Sequence, residues 1–179
     1  MQVIERDGIS AVSQRTVAKA AGLPPSAVMY YFPTIDDLLV ATLTACNDGY
    51  LRRLAEFGTA EGALEQLAAL IADGAGERRA QVAAEYELYL MAARRPELRA
   101  ELDRWTQALD AFLAHFINDP VRRTGAAAAI DGLFLRCFCA EDPFATDEVL
   151  AVLQRLIVTP PKDDERPDPS RESGLRRSS

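Results

Sequence analysis

The chain has 179 residues, of which 49% are apolar and 26% are charged, and its formal net charge is −7. This composition is typical of a globular protein with its own core, and no segment approaches the roughly 18 uninterrupted apolar residues that a membrane span requires. The first residues lack the basic start and apolar run of a secretory signal, so we expect a cytoplasmic protein with no membrane partner.

Helices are predicted from end to end, because apolar residues recur at spacings of three and four and strand-like alternation is absent. Short helices come first, separated by glycines and prolines. Longer helices are then predicted at about 35–57, 60–76, 79–94, 96–117, 120–140 and 146–158. The sequence therefore predicts an all-α fold.

Residues 13–32 have the pattern of a helix-turn-helix. Two helices of about eight and seven residues are joined at 21–24 by Ala-Gly-Leu-Pro, which is a short turn of the kind that this motif contains. Ser13 stands where its hydroxyl can cap the first helix. The sequence therefore predicts a small helical head at the N-terminus.

The spacing within this motif has a packing reason. Ala18 must be small where the second helix crosses it, and Gly22 lies at a helix end that needs a left-handed conformation. Val28 supplies the apolar contact of the second helix. We expect Val17, Ala21 and Leu23 to complete this small core.

Residues 8–39 resemble the DNA-binding segment of the tetracycline-repressor (TetR) family of bacterial regulators. The shared features are Gly8, the Val-Ala-x-x-Ala-Gly pattern at 17–22, and Tyr-Phe-Pro-Thr-x-Asp-x-Leu at 31–38. The resemblance implies an N-terminal three-helix DNA-binding domain and a divergent helical domain for ligand binding and dimerisation. It also implies a homodimeric repressor that leaves a palindromic operator when a small molecule binds.

The resemblance also assigns the DNA-binding residues by position, with the second helix of the motif in the major groove. The residues nearest the bases or sugars are then Pro25, Ser26, Ala27 and Tyr30. Those facing phosphates are Ser13, Gln14, Arg15, Tyr31 and Thr34, with Met29 beside them. An alternative is that Tyr31 packs mostly against the following long helix.

Three features depart from the family pattern. Met29 and Ile35 replace the usual tyrosine and lysine, and the helix at 1–7 is about half the usual length. Residues 1–45 also carry three basic and four acidic side chains, whereas phosphate contacts require positive charge. One hypothesis is that the true start codon lies upstream of Met1. An alternative function is a dimeric small-molecule-binding protein that has lost its affinity for DNA.

The two C-terminal helices resemble the pair that forms a four-helix dimer interface in this family. Their apolar residues recur on one broad face of each helix. The predicted interface residues are Ile130, Leu133, Phe134, Cys137, Phe138, Val149, Leu153 and Leu156. The alternative is that both helices only close the core of the monomer.

An aromatic and apolar cluster in the middle of the chain predicts a pocket for a hydrophobic or aromatic effector. Its members are Tyr86, Tyr89, Leu90, Trp105, Leu109, Phe112 and Phe116. The same cluster is also compatible with an ordinary helical core. We expect the pairs 78–79 and 94–95, all arginine, to lie on solvated helix ends, and Glu85 and Glu87 to point apart.

An enzyme is disfavoured, because the chain has a single histidine and no nucleophile–base pattern. Cys137 and Cys139 face different sides of a helix, so we expect neither a metal nor a cofactor. The predicted domains are a DNA-binding head at 1–45, a ligand-binding and dimerisation body at 46–158, and a disordered tail at 159–179.

Overall fold

A computed structural model gives the architecture of most of the chain. It describes residues 1–58, 61–74, 76, 78–142 and 144–158. The predicted tail at 159–179 lies outside the described residues. Within the described ranges the chain is helical with turns and contains no strand, which confirms the predicted all-α fold.

The helices follow the predicted order closely. Short 3-10 turns at Ile9–Ala11 and Pro96–Leu98 precede the second and seventh helices, so the predicted helix at 96–117 begins later than expected. Helices α1 to α9 span Gln2–Asp7, Gln14–Ala21, Pro25–Tyr31, Ile35–Phe57, Ala63–Asp73, Arg79–Met91, Arg99–Leu113, Pro120–Cys139 and Thr146–Ile157.

The head formed by α1 to α3 and the start of α4 has a small core of its own. Ala18, Val28 and Leu38 are buried there, with Phe32 packed against them. The prediction that Leu23 belongs to this core is wrong, since its side chain is 52% exposed. Ala21 is exposed as well. Phe32 and Leu38 fill this small core in place of Ala21 and Leu23, so the turn between α2 and α3 faces solvent.

A second cluster joins the head to the body. Ile4 of α1 and Leu39 and Leu43 of α4 pack against Ala84 and Leu88 of α6. This cluster crosses the boundary predicted at residue 45, because α4 continues from the head into the body. Helix α6 is therefore in direct contact with the DNA-binding end of the molecule.

The main core lies between α4, α5, α7, α8 and α9. It buries most of the residues that were predicted to form the dimer surface, so that prediction is wrong for them. Their large side chains face α5 and α7 of the same chain, as the alternative interpretation proposed. These residues are Ile130, Leu133, Phe134, Cys137, Val149 and Leu153, none of them more than 8% exposed. Phe138 is half-buried and Leu156 is 40% exposed.

Replacement of Gly22 by alanine tests the turn of the helix-turn-helix. Gly22 has φ +66°, where an L side chain is strained, so Gly22→Ala should lower the free energy of unfolding by about 1 kcal/mol. Gly49 lies inside α4, and a Cβ there would meet nothing within 4 Å. Gly49→Ala is the control and should raise the stability by about 0.5–1 kcal/mol. Urea denaturation at one protein concentration measures the free energy of unfolding of both variants. A change in the same direction for both would contradict the strain expected at Gly22.

Candidate DNA-binding surface and ligand cavity

Helix α3 presents almost its whole side-chain surface to solvent. Val28 anchors it in the head core, while Met29, Tyr30 and Tyr31 are 51%, 80% and 73% exposed. The alternative that Tyr31 packs against α4 is wrong. Its ring instead meets that of Tyr30 edge-on, with 5.2 Å between the ring centroids. Pro25 and Ser26 are exposed too and Ala27 is half-buried, so the residues predicted to read DNA share one accessible helix.

Several of the predicted phosphate contacts are already used within the head. The Ser13 hydroxyl accepts from the backbone N–H of Thr16 at 3.1 Å, which confirms the predicted cap of α2. The Thr34 hydroxyl donates to Asp37 at 2.7 Å and caps α4, and this contact lowers the pKa of the Asp37 carboxyl. Gln14 donates to the carbonyl of Pro33 at 3.2 Å. These side chains position α2 and α3 relative to α4.

Ion pairs change the electrostatics that the composition of the head suggests. Asp7 pairs with the neighbouring Arg6, with 2.6 Å between nitrogen and oxygen. Asp36 pairs with Arg95, which comes from the body. Arg15 remains exposed at the start of α2. Arg6 is already counted among residues 1–45, so only Arg95 offsets the excess of one acidic side chain in the head.

One of the departures from the family pattern has a structural role. Ile35 is partly buried and packs against the second cluster, as Val40 and Met91 also do. An isoleucine there strengthens the contact between head and body, where a lysine would face solvent or phosphate. Met29 is half-exposed on α3, so it keeps an accessible apolar surface but lacks the hydroxyl of the tyrosine that is usual there.

A small cavity lies between α4, α6, α7 and α8. Its volume is about 50 Å³, and sites for drug-sized ligands usually measure about 300–1,000 Å³. The cavity is lined by Leu43, Cys46, Asn47, Tyr50, Glu85, Tyr86, Tyr89, Trp105, Asp131 and Phe134.

The sequence identified only part of this lining. Tyr86, Tyr89 and Trp105 are in the wall as expected. Leu90 is 69% exposed on the far side of α6, and Leu109 is fully buried in the main core. Phe112 and Phe116 pack on each other in the same core, with ring centroids 5.3 Å apart. These four predicted residues do not line the cavity, because their side chains face away from it.

Helices α4 and α8, together with Glu85 of α6, supply the lining residues that the sequence pattern did not identify. Leu43, Cys46, Asn47 and Tyr50 follow each other at helical spacing on one side of α4. That pattern was visible in the sequence, but it crosses the boundary placed at residue 45. Phe134 was predicted at the dimer surface and lies in the cavity wall instead.

Aromatic rings form one side of the cavity. The Tyr50 ring meets Trp105 and Phe134 edge-on, with centroids 5.4 Å and 6.0 Å away. Tyr86 and Tyr89 lie 6.0 Å apart on α6. Such rings offer apolar area and negative π faces to a ligand.

Two acidic side chains complete the lining. Glu85 is 7% exposed. Its carboxylate accepts from the Tyr50 hydroxyl at 2.7 Å and from the Gln81 amide at 2.8 Å. Asp131 accepts from the Trp105 indole N–H at 3.2 Å, and burial raises the pKa of its carboxyl. Carboxylates beside aromatic faces form an environment that favours a cation.

The thiol and the phenol of Cys46 and Tyr50 in the same wall stay in their neutral forms near pH 7. Burial raises the pKa of the Cys46 thiol to about 12, so the thiol holds its proton. Burial and the nearby Glu85 also raise the pKa of Tyr50, which remains a hydrogen-bond donor. Among the described residues no group of three acidic, cysteine or histidine side chains could hold a metal ion. None of the helices in the described part of the chain is long and apolar enough to span a membrane.

The chain matches two family models. Residues 1–42 match the bacterial regulatory proteins of the tetR family, and residues 58–159 match the tetracyclin repressor-like C-terminal domain. A curated relative is the HTH-type transcriptional regulator BetI of Rhizobium meliloti (strain 1021). The two are 30% identical over 171 residues, which cover 88% of this chain and 83% of BetI.

Solved structures agree over nearly the same extent. The multidrug binding protein EbrR complexed with ethidium is 35% identical, with a TM-score of 0.73 over 87% of this chain and 92% of EbrR. The TetR-family member SCO1917 from Streptomyces coelicolor A3 is 34% identical, with a TM-score of 0.77 over 88% of this chain and 93% of that one. The chain therefore belongs to the tetracycline-repressor family of ligand-responsive, DNA-binding transcriptional regulators.

Proposed function

We propose that this regulator is a cytoplasmic repressor that binds palindromic DNA as a homodimer and is released by an aromatic cation. The observation that carries the proposal is the position of α6. On one side it lines the cavity with Glu85, Tyr86 and Tyr89. On the other side Glu87 accepts from the backbone N–H of Ile9 in the head at 2.8 Å.

The head supports binding of double-stranded DNA. Helix α3 is exposed, and its neighbours are fixed by internal caps, so the surface is preorganised. The pairing of Asp36 with Arg95 of the body reduces the repulsion of phosphates. A single α3 contacts few base pairs, and two copies about 34–36 Å apart would read two half-sites of a palindrome. These features argue against the alternative of a protein that has lost its affinity for DNA.

The dimer surface is proposed for the outward faces of α8 and α9, where Leu156 is the exposed member of the set first predicted. Several large apolar side chains are exposed on and next to these helices, and clustered apolar exposure is typical of an interface. Gly125 and Gly132 lie on α8 with open space where a Cβ would point, so a second helix can approach closely. The exposed side chains are Val121, Leu135, Val152, Leu156 and Val158.

The effector class is inferred from the cavity lining. Glu85 and Asp131 contribute acidic groups, and the rings of Tyr50, Tyr86 and Trp105 contribute π faces. A flat organic cation can interact with both the acidic groups and the π faces. The relative EbrR has been solved with ethidium, malachite green and proflavin. We therefore extend the predicted hydrophobic or aromatic effector to an aromatic cation.

The size of the cavity links ligand binding to motion. A volume of about 50 Å³ is too small for a dye, so the walls must move apart when a ligand binds. Helix α6 is one of these walls, and Glu87 attaches it to the head. Arg95, which follows α6 in the chain, pairs with Asp36 at the start of α4. Displacement of α6 shifts the head, and the two α3 helices of a dimer then lose the spacing that the operator requires.

Replacement of Arg15 tests the DNA-binding surface. Arg15→Gln removes an exposed cation, so the slope of log affinity against log salt should become shallower by about one unit per bound subunit. Fluorescence anisotropy with DNA from upstream of the gene measures this. Arg52→Gln, on an exposed part of α4 in the body, is the charge-matched control and should keep the slope. An unchanged slope for Arg15→Gln would place the phosphate contacts elsewhere.

Replacement of Leu135 tests the dimer surface. Leu135 is 45% exposed on α8, and Leu135→Glu would bury a charge between two subunits, so the variant should be monomeric in sedimentation velocity. Leu90→Glu introduces the same charge at a more exposed apolar position on α6 and should leave the dimer intact. A dimeric Leu135→Glu variant would exclude this face of α8.

Replacement of Glu85 tests the effector class. Glu85→Gln keeps an acceptor for Tyr50 but removes the negative charge, so the affinity for ethidium should fall by about tenfold or more. Ethidium fluorescence without DNA gives the affinity. Glu65→Gln makes the same change at an exposed position on α5, outside the cavity lining, and should bind ethidium as the wild type does. Equal affinities for Glu85→Gln and the wild type would refute a cation site at Glu85.

A further inference from the structure

Arg78 is not on a solvated helix end as the sequence suggested. It directly precedes α6, and its side chain is 18% exposed and lies against Tyr50. The guanidinium carbon is 5.5 Å from the centroid of the Tyr50 ring. Nη2 donates to the Tyr50 hydroxyl at 3.4 Å, and that hydroxyl donates to Glu85 at 2.7 Å. A cation of the protein itself therefore already lies against the aromatic and acidic wall of the cavity.

We propose that Arg78 is a built-in competitor that opposes the binding of cationic effectors and sets the selectivity of the cavity for charge. This inference rests on the proposed cation site. The guanidinium interacts with Tyr50 and Glu85 through the same forces that would hold a ligand cation, namely cation–π attraction and charge. When Arg78 and a ligand cation are both close to Glu85, each weakens the electrostatic attraction of the other to this carboxylate.

The contacts of Arg78 are weak enough for displacement. Its Nε donates to Gln81 at 3.4 Å and its Nη1 lies 3.6 Å from Asp73. Charge-assisted hydrogen bonds are usually about 2.7–2.9 Å long, and Arg104 meets Asp48 at 2.6 Å. Within the described residues, the buried Nη1 has no hydrogen-bond partner. The guanidinium is therefore held loosely in a half-buried place.

Two consequences follow from this position. A neutral ligand would meet no repulsion from Arg78, whereas a cation must bind Glu85 and the aromatic rings strongly enough to overcome it. Arg78 also connects the first turn of α6 to Asp73 at the end of α5. Its displacement by a cation would release that connection at the moment when α6 has to move.

The test measures the affinity of the full-length protein for ethidium and for the neutral dye Nile red by fluorescence. Arg78→Gln should bind ethidium about 4-fold to 17-fold more tightly, as expected for unit charges about 10 Å apart at an effective dielectric constant of about 20–40. Arg78→Lys keeps the charge and should stay close to the wild type. Arg79→Gln removes an exposed charge one residue later and serves as the matched control.

The outcomes separate this inference from the proposed function. If the wild type binds no ethidium, the proposed cation site fails. If it binds and Arg78→Gln has equal or weaker affinity, the competitor role is overturned and Arg78 only supports Tyr50. If Arg78→Gln binds both dyes more tightly by the same factor, the cavity has merely loosened, which also overturns the inference. Thermal unfolding of each variant verifies that it is folded.

Discussion

The structure depends on one helix that is held from two sides. Glu85 of α6 is bonded to Tyr50 in the cavity wall, and Glu87, two residues later, is bonded to the backbone of Ile9 in the head. Residues two apart on a helix face different directions, so a single rigid element contacts both sites. Leu88 and its neighbours bury the remaining face against α1 and α4. The cavity and the DNA-binding surface therefore cannot move independently of α6.

Charge arrangement explains how an acidic chain can still bind DNA and a cation. The net charge of −7 is the sum over the whole sequence. In the head, Asp7 and Asp36 are paired with arginines, and Asp37 takes part in the cap of α4. In the body, Glu85 and Asp131 are concentrated around one small cavity, where low exposure to water strengthens their effect on a cation. Arg78 lies beside Glu85 and moderates that attraction.

The sequence predicted the fold and the head well, because both depend on local patterns. The spacing of Ala18, Gly22 and Val28 describes one short motif, and the bounds of α4 follow from a cap at Thr34 and a glycine at its end. The cavity was predicted only in part, since it depends on which sides of four helices meet. Phe134 and Phe112 have the same local pattern, and only the packing of α8 and α7 shows which one lines the cavity.

Hydrogen exchange at the backbone amide of Ile9 tests the central role of α6 most directly. This amide donates to Glu87, whereas the neighbouring amide of Gly8 donates to Ile4 within the head at 2.8 Å. If ligand binding moves α6, saturation with ethidium in the absence of DNA should accelerate exchange at Ile9 and leave Gly8 unchanged. Unchanged exchange at Ile9 in a protein saturated with ethidium would contradict transmission through α6.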